Sequence, residues 1–520
     1  MKADLRHWAK DHPNRLAIEV GKQRLRYEEL EAQANQLAHV FKACGLGRGD
    51  HVAALLTNSP FPLIVAWAAW RSGLYFTPVN TTLSPVETAY IIRDCQARLV
   101  IVDGCFATHA KILRSDPGAV ERWFSHGERI DGVDAIEDAM ATQSSSPRED
   151  ESPGGLMLYT SGTTGAPSGV WRPLPETAGL EAPPFAADLI ELFEFDSQTR
   201  YLSTAPLYHA APLRVALAIS AGGGYIRALE KFDAETALRL LSEEGMTHSQ
   251  WVPTMFQRLL DLPPEVRAGF KARQHRVALH AAAPCPQPVK RAMIDWWGPI
   301  LTEYYSGTEG VGLTMIDSTG WLANPGSVGR ARKGVLHVTD EAGHELPAGE
   351  VGHIFFSGVS PFKYFGNPGK TAQRTNLAGW QTFGDIGYCD KDGYLYLTDR
   401  MDDVIISGGV NVYPQEIEAA ILELHEVADC AVIGVPDEDF GECPVAVISA
   451  GIDVSPDILL DRVRAHCRER LGRIKQPQRY VVWDAIPRTA AGKLVRRELK
   501  SRVIEGNPLR GGGSNSASAE

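Results

Sequence analysis

Short apolar runs alternate with longer amphipathic segments along most of this chain. HVAALLTN (His51–Asn58) and RLVIVD (Arg98–Asp103) have the length and the continuous apolar character of buried strands. RYEELEAQANQLAHVFKACG (Arg26–Gly45) has the periodicity of an amphipathic helix and ends at a glycine, which commonly terminates helices. Such alternation predicts an α/β fold with largely parallel sheets.

The pattern changes twice toward the C-terminus. Residues 334–358 (GVLHVTDEAGHELPAGEVGHIFFSG) predict strand, turn and strand. From Asp399 the predicted order becomes strand, turn, helix and two strands, followed by an arginine-rich helix and a final strand at Arg479–Asp484. With 520 residues the chain is too long for one core. We therefore expect an N-terminal domain over residues 1–399, a separate α+β domain over residues 400–504 and a disordered tail over residues 505–520.

Composition and charge argue against several functions. The formal net charge of −12 argues against non-specific nucleic-acid binding, which needs a basic surface. The longest apolar stretch, Phe61–Trp70, is too short to span a bilayer, which takes ~20 residues, and the charged N-terminal segment has no signal-peptide core. The eight cysteines show neither a CxxC pair nor zinc-ligand spacing, so we expect reduced thiols in a cytoplasmic protein.

The segment YTSGTTGAPSGVWR (Tyr159–Arg172) is rich in hydroxyl groups and glycines. This composition suits an anion that is held by backbone N–H groups and hydroxyls. The segment is not a Walker A loop, because the second glycine of that motif would fall at Pro167, and it shows no dinucleotide-binding fingerprint. On composition alone, an ordinary Ser/Thr/Gly surface loop is the alternative interpretation.

Seven further segments follow this loop in a defined order. They are APLYHAAP (Ala205–Pro212), WVPTM (Trp251–Met255), HAAAP (His280–Pro284), EYYSGTE (Glu303–Glu309), GWQTFGDIGYCDKDGYLYLTDR (Gly379–Arg400), DDVIISGGVNVYPQEIE (Asp402–Glu418) and IPRTAAGKLVRREL (Ile486–Leu499). Together with the loop, they resemble the adenylate-forming superfamily, which comprises acyl- and aryl-CoA synthetases, luciferases and peptide-synthetase adenylation domains. The resemblance covers about residues 10–503.

The resemblance implies a fold and a reaction. The large domain would combine parallel-sheet α/β subdomains with a β-barrel-like subdomain, and the small α+β domain would be mobile. In the family reaction, a carboxylate attacks the α-phosphate of ATP, which gives an acyl-adenylate and pyrophosphate. A thiol, usually that of coenzyme A, then displaces AMP. The implied partners are therefore a small carboxylic acid, ATP, Mg2+ and coenzyme A, and homodimer formation is left open.

The resemblance also assigns nucleotide-binding residues. The β- and γ-phosphates would be held by Thr160, Ser161, Gly162, Thr163, Thr164 and Gly165. Thr308 would hydrogen-bond the α-phosphate, and Glu309 would bind Mg2+, although a glutamate after such a turn is otherwise a surface residue. On the nucleoside, Tyr305 would stack on adenine beside Ala282 and Ala283, and Asp385 would accept both ribose hydroxyls. Arg400 would reach the ribose or a phosphate from the domain junction.

The acyl and thiol sites are assigned in the same way. Lys493 would be the catalytic cation of adenylation, with a solvent-facing lysine as the alternative. Asp402 would be the hinge, and Gly408 and Gly409 would let a pantetheine arm pass, unless they form an ordinary turn. His209 would lie near the carboxylate, unless it is a packed core histidine. The pocket residues would be Tyr208, Trp251, Val252, Ala281, Tyr304 and Gly307, which suit a medium-chain, aromatic or ring-bearing acid, and WVPTM would be a pocket strand.

The chain departs from the family pattern at its phosphate loop. Family loops usually end in Pro-Lys-Gly, whereas this one ends in Pro167-Ser168-Gly169 and lacks the lysine. We hypothesise that Arg172 compensates. Smaller departures are Ser306, where glycine is common, and Phe383, where threonine is usual.

Three functions remain open after these departures. The first is a carboxylic acid–CoA ligase, which we expect to be active because Glu309, Asp385, Arg400 and Lys493 are all present. The second is an adenylating enzyme with another acceptor, such as a carrier-protein thiol or, as in luciferases, oxygen. The third is a non-catalytic nucleotide- or acyl-binding paralogue, which only the missing lysine supports.

Overall fold

The computed structural model describes residues 4–160, 167–176, 182–407, 410–437, 440–451, 454–488 and 494–505. These residues form five sheets. The largest has nine strands, whose six central members run parallel. In spatial order the strands are Arg330–Lys333, Leu313–Asp317, Leu301–Tyr305, Val277–His280, His248–Trp251, Arg200–Ser203, Tyr225–Ala228, Leu16–Val20 and Gln23–Arg26.

The second large sheet has six strands and is parallel throughout. Its strands are Asp134–Ala135, Arg122–His126, Ala97–Asp103, His51–Leu55, Tyr75–Pro78 and Gly155–Leu156. The α/β prediction with parallel sheets is therefore confirmed. The apolar run at its centre, which the sequence extended to Asn58, ends as a strand at Leu55.

Helices pack between and around the two large sheets. The apolar helix Phe61–Arg71 is buried on every side, because it lies in a core shared by both sheets, which includes Ile18 from one and Leu99 from the other. Among the described residues, no helix combines the length and apolar character needed to cross a bilayer. The other helices of this region are Leu5–Asp11, Tyr27–Ala43, Pro85–Asp94, Gly104–Phe106 (3-10), Ala107–Ser115, Ile136–Ala141, Pro184–Leu192, Ala210–Gly222, Ala234–Glu243, Pro253–Leu260, Pro264–Gly269, Gln287–Trp297, Ser318–Ala323 and Pro368–Gln373.

Two small sheets follow at the edge of the large domain. One contains Val335–Thr339, Gly352–Ser357, Asp385–Cys389 and Leu395–Arg400, and the other contains Lys363–Tyr364, Gly169–Trp171 and Leu158–Tyr159. Both pack on one small core that includes Val170, Phe356 and Leu395. Within the described residues no strand of one pairs with a strand of the other, so the expected β-barrel-like subdomain is a pair of packed sheets.

The C-terminal segment builds its own cores. Its sheet contains Val410–Val412, Ile405–Ser407, Gly441–Ala450, Val427–Asp437 and Arg479–Val482. Its helices are Pro414–Ile421, Pro456–Arg470, Arg473–Lys475 (3-10) and Arg496–Glu505. Two clusters, around Ile448 and around Trp483, contain residues of this segment alone. This segment therefore has the α+β composition that the sequence predicts and hydrophobic cores of its own.

Buried histidines make the fold sensitive to acid. Burial lowers the pKa of His51 and His248 to about 4 and that of His275 to about 3. The unfolded chain therefore takes up protons below pH ~6.5 that the folded chain refuses, and stability falls as the pH decreases from ~6.5 toward 4. Each histidine contributes about 1.4 kcal/mol per pH unit to this slope.

The thermal unfolding midpoint, measured between pH 8 and pH 5, should thus drop steeply below pH 6.5. His275→Gln should flatten the drop, because it removes one group that the unfolded chain protonates and the folded chain does not. Gln can still bond Ser249 Oγ, which lies 2.7 Å from the imidazole Nε2. The same change at exposed His344 is the matched control. Equal slopes for the two variants would refute the assignment to buried histidines.

Candidate active site

Four of the sequence motifs lie at one edge of the nine-stranded sheet. The strands Arg200–Ser203, His248–Trp251, Val277–His280 and Leu301–Tyr305 are parallel neighbours, and each leads at its carboxyl end into one of the motifs. In open α/β sheets, ligands bind outside the carboxyl ends of the strands. The topology therefore brings these motifs, which are dispersed over a hundred residues of sequence, to one site.

The strand alternation corrects two expectations about WVPTM. The strand ends at Trp251, and Pro253 begins a helix, since proline fits the first turn of a helix. Trp251 pairs in register with His280, and His280 with Glu303, so these three share one face of the sheet, whereas Tyr304 lies on the other. The Trp251 indole packs in the core against Phe256 and Trp297, and therefore does not share a pocket wall with Tyr304.

The opposite face carries Tyr304, with Ala281 nearby. Gln250 Nε2 donates to the Tyr304 hydroxyl at 2.7 Å, and the Tyr201 hydroxyl donates to Gln250 Oε1 at 2.8 Å. Phe193 lies against the Tyr304 ring, with their centroids 5.5 Å apart. Ala281, which follows the neighbouring strand, belongs to the same core as Tyr304. On this face, Tyr201, Gln250 and Tyr304 therefore form a hydrogen-bonded row among apolar and aromatic side chains.

His209 and Tyr208 precede the helix Ala210–Gly222. His209 is the N-cap residue of this helix, and its ring contacts that of Tyr208, with centroids 4.5 Å apart. One turn further, the Arg214 guanidinium donates from Nη2 to the Thr308 carbonyl at 3.0 Å. Burial lowers the pKa of Arg214 to about 10. The helix therefore connects the predicted acyl pocket with the Thr308–Glu309 turn.

Two arginines hold the backbone of this turn. Arg172 donates from Nη2 to the carbonyl of Glu309 and, at 3.3 Å, to that of Gly310, while Arg214 binds the carbonyl of Thr308. Arg172 also lies 3.4 Å from the Ser360 carbonyl. These contacts do not support the hypothesis that Arg172 replaces the loop lysine, because its guanidinium is engaged by carbonyls behind the turn.

The Glu309 carboxylate is almost completely buried. Its Oε1 accepts a hydrogen bond from the Tyr364 hydroxyl at 2.7 Å, which leaves Oε2 for a cation. Gly307 is required for this arrangement, since a Cβ atom there would lie 2.5 Å from the Phe383 ring and 2.9 Å from Glu309 Oε2. Mg2+ is commonly held by one or two carboxylates together with phosphates, and a single buried carboxylate at this turn fits that demand.

Asp385 joins Tyr305 and Arg400 into one cluster. Its Oδ2 accepts the Tyr305 hydroxyl at 2.5 Å, and its Oδ1 lies 3.2 Å from Arg400 Nε. The Asp385 charge raises the pKa of Arg400, whereas burial, followed by Asp385, raises that of Tyr305. Each carboxylate oxygen keeps a second acceptor position, which is what a pair of ribose hydroxyls needs. Because the Tyr305 hydroxyl is occupied, the face of its ring is the part left to contact a base.

The HAAAP turn contains a strained backbone. Ala282 has φ of +78°, in the left-handed region that costs a residue with a Cβ atom about 1–2 kcal/mol. Ala282 is exposed, and Ala283 is partly buried beside it. Strain of this kind is concentrated at functional sites, so the turn agrees with the predicted adenine side of the site.

The phosphate loop is closed by a hairpin. The strands Leu158–Tyr159 and Gly169–Trp171 pair antiparallel, and Thr160 N–H donates to the Ser168 carbonyl at 3.1 Å. The structure places Thr160 at the base of the loop, and Ser161, Gly162, Thr163, Thr164 and Gly165 lie outside the described residues. The same holds for Gly408, Gly409 and Lys493.

The predicted hinge lies at the domain junction. Asp402 Oδ2 accepts a hydrogen bond from Arg374 Nη2 at 2.5 Å, and the next residue, Asp403, pairs with Arg496 at 2.9 Å. Met401 N–H donates to the Gly384 carbonyl at 2.8 Å. The junction is therefore held by contacts on both sides of Asp402.

A proline at Asp402 should slow the second half-reaction selectively, since it fixes φ at the predicted hinge. We expect thioester formation from a supplied acyl-adenylate to slow by about tenfold or more, and ATP–pyrophosphate exchange to change little. Asp402→Asn, which removes the charge of the Arg374 pair but leaves the backbone unrestricted, is the control. A loss confined to the exchange reaction would exclude Asp402 as the hinge.

Comparisons with known proteins identify the family of the chain. Residues 5–365 match the family model of the AMP-binding enzyme, and residues 416–493 match the AMP-binding enzyme C-terminal domain. The long-chain-fatty-acid–CoA ligase FadD13 of Mycobacterium tuberculosis is 30% identical over 92% of this chain and 93% of its own. A feruloyl-CoA synthase of Amycolatopsis sp is 31% identical over 95% and 97%. ATP-bound MatB from Rhodopseudomonas palustris superposes with a TM-score of 0.82 at 30% identity, covering 96% and 99% of the two chains.

The chain belongs to the AMP-binding enzyme family, within the adenylate-forming superfamily. It is an AMP-forming acid–thiol ligase, a class that uses ATP, Mg2+ and coenzyme A. The large N-terminal and small C-terminal domains are those of the solved relatives. The sequence analysis did not identify three residues of the site, namely Arg214, Tyr364 and Lys370. None of them lies within one of the sequence motifs.

Proposed function

We propose that this protein activates a medium-chain, aromatic or ring-bearing carboxylic acid with ATP and transfers the acyl group to coenzyme A. The observation that carries the proposal is the cluster of Tyr305, Asp385 and Arg400 beside the Glu309 turn. In this cluster a carboxylate with vacant acceptor positions, an aromatic ring and a guanidinium meet next to a buried carboxylate. Such a set suits a nucleoside triphosphate with its metal.

In the first step, a carboxylate oxygen of the acid attacks the α-phosphorus, and the bond from that phosphorus to pyrophosphate breaks. Thr308 donates to the α-phosphate from a turn whose carbonyls are fixed by Arg172 and Arg214. Glu309 would hold Mg2+, which would supply positive charge to neutralise the phosphate oxygens. Lys493 supplies the cation between the carboxylate and the α-phosphate, where negative charge accumulates.

In the second step, the thiolate of coenzyme A attacks the acyl carbonyl carbon, and AMP leaves with the electron pair of the broken acyl–oxygen bond. The segment at Gly408 and Gly409 would let the pantetheine arm reach this carbon. Asp385 and Arg400 keep the ribose in place during both steps, which holds the adenylate while the small domain changes position about Asp402.

The pocket supports an apolar or ring-bearing acid. Tyr304, Phe193 and Tyr208 supply aromatic surface and Ala281 leaves volume for a substituent, whereas Val252 packs in the same core as Trp251. The relatives named above include a long-chain-fatty-acid–CoA ligase, whose name specifies an acid with a chain, and a feruloyl-CoA synthase, whose name specifies an acyl group with a ring. His209, at the start of the adjacent helix, is the residue that we assign to the carboxylate end of the acid.

AMP release on a panel of acids tests the proposal. The panel runs from acetate through fatty, aromatic and steroid-like acids, each with and without coenzyme A. Release that requires an acid of the proposed class and coenzyme A would support it. AMP formation without coenzyme A would indicate another acceptor, such as a carrier-protein thiol. ATP binding without turnover on any acid would favour the non-catalytic paralogue.

A further inference from the structure

The missing loop lysine has a counterpart elsewhere in the chain. Lys370, in the helix Pro368–Gln373, donates from Nζ to the Ser168 hydroxyl at 2.9 Å. Ser168 is the position at which the resembled loops carry lysine, and Lys370 is distant from it in sequence. An ammonium group thus lies at the base of the phosphate loop, although the loop itself has none.

Lys370 also lies close to the predicted metal ligand. Its ammonium is 4.7 Å from the centroid of the Tyr364 ring, and the hydroxyl of that same tyrosine donates to Glu309 Oε1 at 2.7 Å. Ser168, Lys370, Tyr364 and Glu309 therefore form one continuous chain of contacts. The ammonium stands between the loop that suits phosphates and the carboxylate that suits their metal.

No carboxylate lies within salt-bridge distance of Lys370 among the described residues, and its contacts are a hydroxyl and a ring face. Burial, and then the nearby Arg374, lower its pKa, and the more distant charges of Glu309 and Asp402 offset only part of this decrease. An ammonium has three donors, and Ser168 takes one. A half-buried cation beside another cation is stabilised by an anion, and the remaining donors are available to bind one.

We propose that Lys370 binds the β- and γ-phosphates of ATP and so supplies the charge that the loop lost at Ser168. The inference rests on the proposed function, because it needs a triphosphate in this site. It assigns a specificity as well, since AMP lacks the two phosphates that Lys370 would contact. Lys370 should therefore discriminate ATP from AMP, which a purely structural residue would not do.

Calorimetric titration with MgATP and with AMP tests this inference. Lys370→Met keeps an unbranched side chain of similar length and removes the charge. It should raise the Kd for MgATP by about 10- to 100-fold, the usual effect of losing a charged hydrogen bond, and leave the Kd for AMP unchanged. Lys370→Arg should retain most of the affinity. The double variant that combines Ser168→Lys with Lys370→Met should regain the affinity for MgATP, since the loop then supplies the positive charge.

Lys363→Met is the matched control, because Lys363 is an exposed lysine on the strand just before this helix. The inference would be overturned if Lys370→Met left the Kd for MgATP unchanged, or if it weakened the binding of MgATP and AMP equally. In either case, binding of MgATP by the wild-type protein would leave the proposed function intact. A wild-type protein that binds neither nucleotide would overturn the proposed function itself. Thermal unfolding of each variant establishes that a loss of affinity is not a loss of fold.

Discussion

Glu309→Gln is expected to slow ATP–pyrophosphate exchange by about 100- to 1,000-fold, since it removes several kcal/mol of metal-dependent stabilisation of the transition state. The amide has the shape of the carboxylate, and its oxygen can still accept the hydrogen bond that the Tyr364 hydroxyl donates to Glu309 Oε1 at 2.7 Å in the wild-type protein. What it lacks is the negative charge that we propose to bind Mg2+. Thioester formation from a supplied acyl-adenylate, in which no pyrophosphate leaves, should be much less affected. Exchange measured over a range of Mg2+ concentrations should show that added metal restores part of the rate.

Tyr364→Phe separates charge from geometry at the same site. It deletes the hydrogen bond to Glu309 and leaves the carboxylate charged, so its effect on exchange should be about tenfold or less. If Glu309→Gln retained nearly wild-type exchange, or if it slowed both half-reactions equally, Glu309 would not be the metal ligand of adenylation.

Lys493→Ala is expected to impair adenylation by about 100- to 1,000-fold and to spare thioester formation from a supplied acyl-adenylate. The reason is electrostatic, because negative charge gathers between the carboxylate and the α-phosphate only in the first step. Exchange and single-turnover thioesterification measure the two steps separately. Lys500→Ala is the control, since Lys500 lies in the same domain and pairs with Glu442 at 3.1 Å. An equal loss in both steps would rule out the assigned role.

The architecture was largely predictable because it depends on local periodicity. The apolar run near Arg98–Asp103 became the strand Ala97–Asp103, and the amphipathic segment near Arg26–Gly45 became the helix Tyr27–Ala43. The motifs also identified Asp385 and Arg400, which the structure brings into contact. Ordered motifs carry this information because each keeps its own local geometry wherever the fold places it.

The remaining features depend on contacts between distant parts of the chain. The side of the sheet that Trp251 faces follows from its register with His280, which no local pattern specifies. The contact of Lys370 with Ser168 joins segments that are far apart in sequence. Arg172 was the nearer candidate along the chain, but its guanidinium reaches the carbonyls of the Glu309 turn. Proximity in sequence was therefore a poor guide to which cation lies at the loop.

The two arginines behind the Thr308–Gly310 turn separate the shape of the turn from its chemistry. Among the described residues, Arg172 and Arg214 donate only to main-chain oxygens of the turn, so these contacts do not depend on the side chains at positions 308 and 309. For protein engineering, conservative substitutions at positions 308 and 309 are therefore expected to leave the course of the backbone unchanged. Inactive variants that trap a bound nucleotide, or variants with an altered metal preference, can be made at these two positions without redesigning the backbone.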